Sequence, residues 1–228
     1  MNSTNPDAHV KPTSDINTVL FDWDGTIVDS AHLGLAAYQK AFAELNIDFC
    51  QETYEANYSP NWHAVYEALG LPAEQWDYAD SLWRSHYDQQ FPELIEGVAP
   101  TLQTLRDRGY RLGVVTSGNH DRVLRELVHF GMMDVFETLV CHEHITQRKP
   151  HPEGLEIALA NMNRNPAEAA YVGDAPEDIQ MGKQSGVLTV AVLSNYPCGK
   201  RLLSSSPDIY LEKISRLVGH FPGISRPE

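Results

Sequence analysis

Asp22 and Asp24 stand two residues apart in VLFDWDGTIVDS, where an apolar run gives way to a turn. In an extended segment residues i and i+2 point to one side, so both carboxylates look into the same space while Trp23 turns away. Like charges this close disfavour each other's ionisation, so the pair calls for a compensating cation. A hard divalent ion such as Mg2+, which prefers oxygen ligands, would supply it. Gly25 permits a sharp turn beside a ligand, and Thr26 is expected to hydrogen-bond the loop. Taken alone, Asp-Gly is also an ordinary turn dipeptide.

Three further stretches supply complementary chemistry. RLGVVTSGN ends an apolar run with Thr116, Ser117, Gly118 and Asn119 and then opens a helical pattern. Hydroxyls and free N–H groups there form an anion cradle, or simply cap the helix. QRKPHPEG carries Lys149, with Pro150 and Pro152 keeping the backbone around it extended. A lone lysine is usually solvated, but beside a phosphate it is a countercharge. YVGDAPEDIQMG ends another apolar run with Asp174 and adds Asp178 about one helical turn later. Acids at a helix start also complement its dipole. Together the four stretches hold the parts of a phosphate site: nucleophile, acid, anion cradle, countercharge and metal ligands.

These residues need elements that bring them together. Near-continuous apolar runs at 18–22, 111–116, 136–140, 169–173, 188–193 and 208–211 read as parallel strands covered on both faces. Helical patterns lie between them, at roughly 99–108, 119–130, 152–162, 177–185 and 212–219. Gly109, Gly131 and Gly186 follow three of these helices, where a left-handed residue is wanted. The fold class is therefore α/β, a doubly wound parallel sheet. Residues 31–96 break the rhythm with helix-like runs and no buried strand. They carry 11 Asp and Glu against two bases, Lys40 and Arg84, or -9 of the chain's -14. The expected organisation is a leader, disordered over 1–16, a core of 17–30 and 97–228, and a helical insert at 31–96.

The whole pattern resembles the haloacid dehalogenase-like hydrolase superfamily, in its subfamily with a helical cap and a phosphoglycolate phosphatase-like layout. DWDGT matches its first motif, Thr116 in VVTSG its second, Lys149 in RKPHPE its third and GDAPED its fourth. The resemblance implies a Rossmann-like core and a Mg2+-dependent phosphatase working through an aspartyl-phosphate. It makes Asp22 the nucleophile and Asp24 the acid and then base, with Asp24's backbone carbonyl on the metal. Thr116, Ser117 and Gly118 would hold phosphoryl oxygens, and Lys149 would neutralise charge on the transferring group. Asp174 would complete the metal set, with Asp178 a ligand or a partner of one. In the cap, Asn61, Trp62 and His63 are expected to face substrate; the competing reading makes Trp62 cap core and His63 solvent-exposed.

Several activities share this layout. The second aspartate argues against a dehalogenase, and Lys40, the one cap lysine, has no neighbours that would activate it for the Schiff base a phosphonatase needs. A sugar phosphomutase of the β-phosphoglucomutase type and an inorganic pyrophosphatase stay open. So do two non-enzyme readings, a phospho-aspartate signalling module and a degenerate binding protein. The expected partner is a small phosphorylated metabolite, with the chain a monomer or homodimer. A charge of -14 over 228 residues argues against nucleic acid or an anionic membrane. No apolar stretch approaches the ~18 residues of a membrane span. Cys50, Cys141 and Cys198 lack paired spacing and suit reduced thiols in a cytoplasmic protein.

Overall fold

The computed structural model describes residues 13–224. In chain order the elements are β1 (Thr18–Phe21), β2 (Val28–Asp29), α1 (Ala31–Glu44), α2 (Gln51–Asn57), α3 (Trp62–Ala68) and α4 (Trp76–Tyr87). There follow β3 (Glu93–Leu94), α5 (Val98–Asp107), β4 (Arg111–Val115), α6 (His120–His129), β5 (Thr138–Val140) and α7 (Glu153–Met162). The chain ends with β6 (Ala169–Gly173), α8 (Pro176–Ser185), β7 (Leu188–Val192), α9 (Gly199–Ser204) and β8 (Ile209–Leu211).

Six strands form one parallel sheet in the order β5-β4-β1-β6-β7-β8. Alternate residues of a strand feed opposite faces, which explains the continuous apolar runs. Val19 and Phe21 join Leu112, Val114 and Val172 in one core, under α5 and α6. Leu20 points the other way, into a second core with Leu155, Leu159, Tyr171 and Met181 of α7, β6 and α8. The register sets Phe21 beside both Val114 and Val172, so the three central strands end level. Their carboxyl ends are where an open α/β sheet binds ligands. The glycines expected after helices, Gly109, Gly131 and Gly186, all adopt the left-handed conformation.

Helices α1 to α4 lie between β2 and β3, which pair antiparallel through Val28–Leu94 and Asp29–Glu93. That short ribbon at the base of the helical segment went unread in the sequence, because two residues carry no periodicity. The helices have an aromatic core of their own, built on Tyr38, Phe42, Tyr54 and Tyr66. Trp83 ties α4 to α1 by donating its indole N–H to the Gly34 carbonyl at 3.1 Å.

Two stretches differ from expectation. Residues 212–219 are not an α-helix; Ile214–Gly219 form a 3-10 helix instead. Ile214 and Leu217, three residues apart, both point into the core, a spacing that the 3-10 helix aligns on one side. Most of the expected leader, 1–12, lies outside the described residues. Its end does not stand clear of the fold: Thr13–Asp15 form a turn and Ile16 is buried in the core. No helix among the described residues is long and apolar enough to cross a membrane.

The sheet is tightly closed at Gly113. A Cβ there would lie 2.7 Å from Leu20 Cδ2 and 2.7 Å from Thr138 Cγ2. Gly113→Ala is therefore expected to lower unfolding free energy by about 1–3 kcal/mol through overpacking. Urea denaturation of the two proteins checks this.

Candidate active site

Asp22 leaves β1 at the centre of the sheet, its N–H donating to the Val172 carbonyl at 2.8 Å. Lys149 reaches it from the loop before α7, with Nζ 2.6 Å from Asp22 Oδ1 and 2.8 Å from Asp178 Oδ1. All three side chains are buried. Asp178 is anchored further: its Oδ1 accepts the Tyr171 hydroxyl at 3.2 Å and its Oδ2 the Ala175 N–H at 3.0 Å. Gly173 makes room for it, since a Cβ there would sit 2.4 Å from Asp178 Cβ.

Burial pushes the Asp22 carboxyl up to about 7; Lys149 pulls against this, while Asp178 and Asp24 add to it. Burial and the nearby Asp22 and Asp178 also raise Asp174 well above the usual carboxylate range. Burial opposes charge on Lys149, yet Asp178 and Asp22 together hold its ammonium above the ordinary lysine value. Oxygens of Asp22, Asp174 and Asp178 lie within 4.8 Å of one another. Three buried carboxylates, two of them bonded to one ammonium, form the all-oxygen donor set of a hard cation, so these residues fit a metal. Asp178 has both oxygens engaged. Asp174 has only its Oδ2 engaged, by the Ser194 hydroxyl at 2.6 Å.

Gly25 is required twice over. Its φ is +79°, and a Cβ would fall 2.3 Å from Asp174 Oδ2. The turn it makes, with the Gly25 N–H donating to Val28 O at 2.8 Å, starts β2. Thr26 bonds the loop through its backbone, its N–H donating to the Trp23 carbonyl at 3.3 Å, while its hydroxyl is buried without a partner. Trp23 does turn away from the site, giving its indole N–H to Glu126 Oε2 at 2.6 Å.

Asp24 does not point at the other three acids. Arg122 of α6 grips it with two bonds, Nη1–Oδ1 at 3.0 Å and Nη2–Oδ2 at 2.5 Å, and Ser30 donates to Oδ1 at 2.7 Å. Arg122 also reaches Glu126 at 3.2 Å and the Tyr87 hydroxyl of α4 at 3.4 Å. The arginine went unnoticed in the sequence, though a signal was there. It occupies the first turn of a helix, where a cation opposes the dipole and needs a reason to be.

Thr116, Ser117 and Gly118 line the same cavity as Asp22, Asp24 and Asp174. The Gly118 N–H donates to Thr116 Oγ1 at 3.0 Å, which shapes the turn. The structure does not bring Asn61 and His63 to that cavity; Trp62 lines it instead. Asp80 draws the Trp62 indole N–H at 2.9 Å, while the His63 ring lies against Trp76 at 4.5 Å. Tyr196, from the loop after β7, also lines the cavity and meets the Ser30 hydroxyl at 3.0 Å. No sequence pattern marks that loop; its place after the carboxyl end of a parallel strand was the available clue.

Glu126 is fully buried and Arg122 nearly so. Arg122→Ala strands two carboxylates and is expected to cost about 3–5 kcal/mol of stability, checked by urea denaturation. Equal stability would mean the pair is solvated and the buried network absent.

The sequence profile of the haloacid dehalogenase-like hydrolases matches residues 19–192. A Bacillus pumilus protein named pyrophosphatase PpaX is 32% identical over 209 residues, covering 90% of this chain and 96% of its own. A structure described as a predicted phosphoglycolate phosphatase from Haemophilus somnus superposes with a TM-score of 0.80 at 20% identity, over 90% of this chain and 97% of that one. The β-phosphoglucomutase of Clostridium difficile gives 0.74 at 20% identity, over 89% and 93%. These two structural likenesses speak for the fold alone. With the family profile running from β1 to β7 and over all the site acids, and the PpaX relative covering nearly the whole chain, this protein belongs to the haloacid dehalogenase-like hydrolases.

Proposed function

We propose that the protein is a Mg2+-dependent phosphatase that hydrolyses a small phosphate monoester through an aspartyl-phosphate on Asp22. The observation that carries this reading is the buried Lys149 ammonium, 2.6 Å from Asp22 and backed by Asp178. It holds the attacking carboxylate in place and faces the charge that accumulates on the transferring phosphoryl group.

In the first half-reaction an Asp22 oxygen bonds to phosphorus and the bond from phosphorus to the leaving oxygen breaks. Asp24 supplies the proton that the leaving oxygen takes. In the second, Asp24 takes a proton from water, the water oxygen bonds to phosphorus, and the phosphorus–Asp22 bond breaks. Splitting one displacement into two lowers each barrier, and a single carboxyl can serve both steps. This role requires the Asp24 side chain to leave the Arg122 fork. Thr116 and the amides of Ser117 and Gly118 are the proposed hosts of phosphoryl oxygens.

Mg2+, held by Asp22, Asp174 and the Asp24 carbonyl with Asp178 behind them, would neutralise and orient phosphoryl oxygens. Helices α1 to α4 are the proposed cap, closing over the reaction and excluding water. The partner is a small phosphorylated metabolite, and three free cysteines suit a cytoplasmic setting. A second reading, hydrolysis of inorganic pyrophosphate, is favoured by the name of the Bacillus pumilus relative.

Phosphate release from a set of phosphate esters and pyrophosphate, with Mg2+ and with EDTA, tests the proposal. Release is expected to stop with EDTA and to fall by on the order of 10³-fold or more in Asp22→Asn, with circular dichroism unchanged. Ordinary turnover by the folded Asp22→Asn protein would sink the covalent route.

A further inference from the structure

The cavity that holds the reactive carboxylates has an upper half with a different character. About 400 Å3 of space runs from Asp22 and Asp24 to helices α1 to α4. Its upper wall is aromatic: Tyr38, Tyr54, Tyr58, Trp62, Tyr66 and Trp83 all line it. Tyr38, Tyr54 and Tyr66 are buried in the helices' own core, whereas Tyr58, Trp62 and Trp83 are only half-buried, each with one ring face covered, by Tyr196, Arg148 and Tyr87 in turn. Tyr196 adds a ring from below, stacked on Tyr58 with centroids 4.6 Å apart.

The charges around these rings are mostly negative. Asp77 and Asp80 line the space from α4, and Glu143 from the loop after β5. Asp80 accepts the Trp62 indole and, at 2.7 Å, the Tyr66 hydroxyl, which orients both rings and leaves carboxylate lone pairs over. Two arginines line the cavity, of which Arg122 is held by Asp24 and Glu126 while Arg84 faces the upper space; a third, Arg148, lies against the Trp62 ring outside the lining. A carboxylate or second phosphate on the leaving group would meet like charge there. A sugar would find acceptors in these carboxylates but carries no charge to match theirs. A cation is suited on both counts, since ring faces and carboxylates each attract it. Trp62 already shows this capacity, with the Arg148 guanidinium 3.9 Å above its ring centre.

We infer that the leaving group accepted here is an alcohol bearing an ammonium group, so that the substrate is the phosphate monoester of an amino alcohol. The inference rests on the phosphatase reading above and adds the class of leaving group. The phosphate end meets Lys149 and the metal-ligating acids; the ammonium end meets Asp77, Asp80 and the half-buried rings.

The test compares kcat/KM with Mg2+ for phosphocholine, phosphoethanolamine, glycerol 3-phosphate, phosphoglycolate and pyrophosphate, with p-nitrophenyl phosphate as an unselective reporter. The two ammonium esters are expected to exceed each of the other metabolites by about tenfold or more. In Asp77→Lys, the ratio of phosphocholine to phosphoglycolate is expected to fall about tenfold, mainly through KM. Preference for phosphoglycolate, pyrophosphate or glycerol 3-phosphate overturns the inference while leaving a phosphatase. An unchanged ratio in folded Asp77→Lys overturns it as well. Absence of phosphate release from every compound, p-nitrophenyl phosphate included, removes the phosphatase reading and this inference with it.

Discussion

A buried ammonium between two buried carboxylates holds the centre of this molecule together. Lys149 lies 2.6 Å from Asp22 and 2.8 Å from Asp178, and the three come from three separate segments of the chain. Removing one member of such a set leaves charge without a partner in a medium that solvates it poorly. The fold must therefore deliver all three accurately, and the level ends of β4, β1 and β6 are how it does so. The small residues nearby serve the same end. Gly25 and Gly173 let Asp174 and Asp178 approach backbone that any side chain would block.

A second island of charge stands apart from the first. Arg122 binds Asp24 and Glu126, and Glu126 receives the Trp23 indole. The two acids of DWDGT are thus divided between two cations, one facing Asp22 and the other facing Asp24. This division eases the repulsion that makes the pair unusual as sequence, before any metal is considered, while Asp24 still adds to the upward push on the Asp22 carboxyl. It also links the core to the helical segment, because Arg122 touches Tyr87 at the end of α4. Around the cavity mouth the same linkage recurs in rings, with Tyr58 on Tyr196 and Trp62 under Arg148.

Much of this was legible in the sequence, for a physical reason. Strands covered on both faces must be apolar throughout, so Asp22, Thr116 and Asp174 stood out as polar residues ending such runs. Lys149 was legible only by its place between them and its flanking prolines. The rest depended on side-chain direction, which spacing does not reveal. Arg122 and Glu126 sit within an otherwise ordinary amphipathic helix, and only the misplaced charge in its first turn hinted at a role. Trp62 and His63 are neighbours about 100° apart on a helix, so a single hydrogen bond to Asp80 decided which of them meets the cavity. Ser194 and Tyr196 lie in a loop without any pattern, and the fold alone brings them to Asp174 and Ser30.

Asp22, and not Asp24 or Asp174, is the residue proposed to form the bond to phosphorus. Acid-quenched single turnovers with a ³²P-labelled ester, followed by peptide mapping, test it directly. Acid-stable, hydroxylamine-sensitive label is expected to appear and decay on the peptide containing Asp22. Label on any other residue, or complete turnover with no protein-bound label at any quench time, would contradict it.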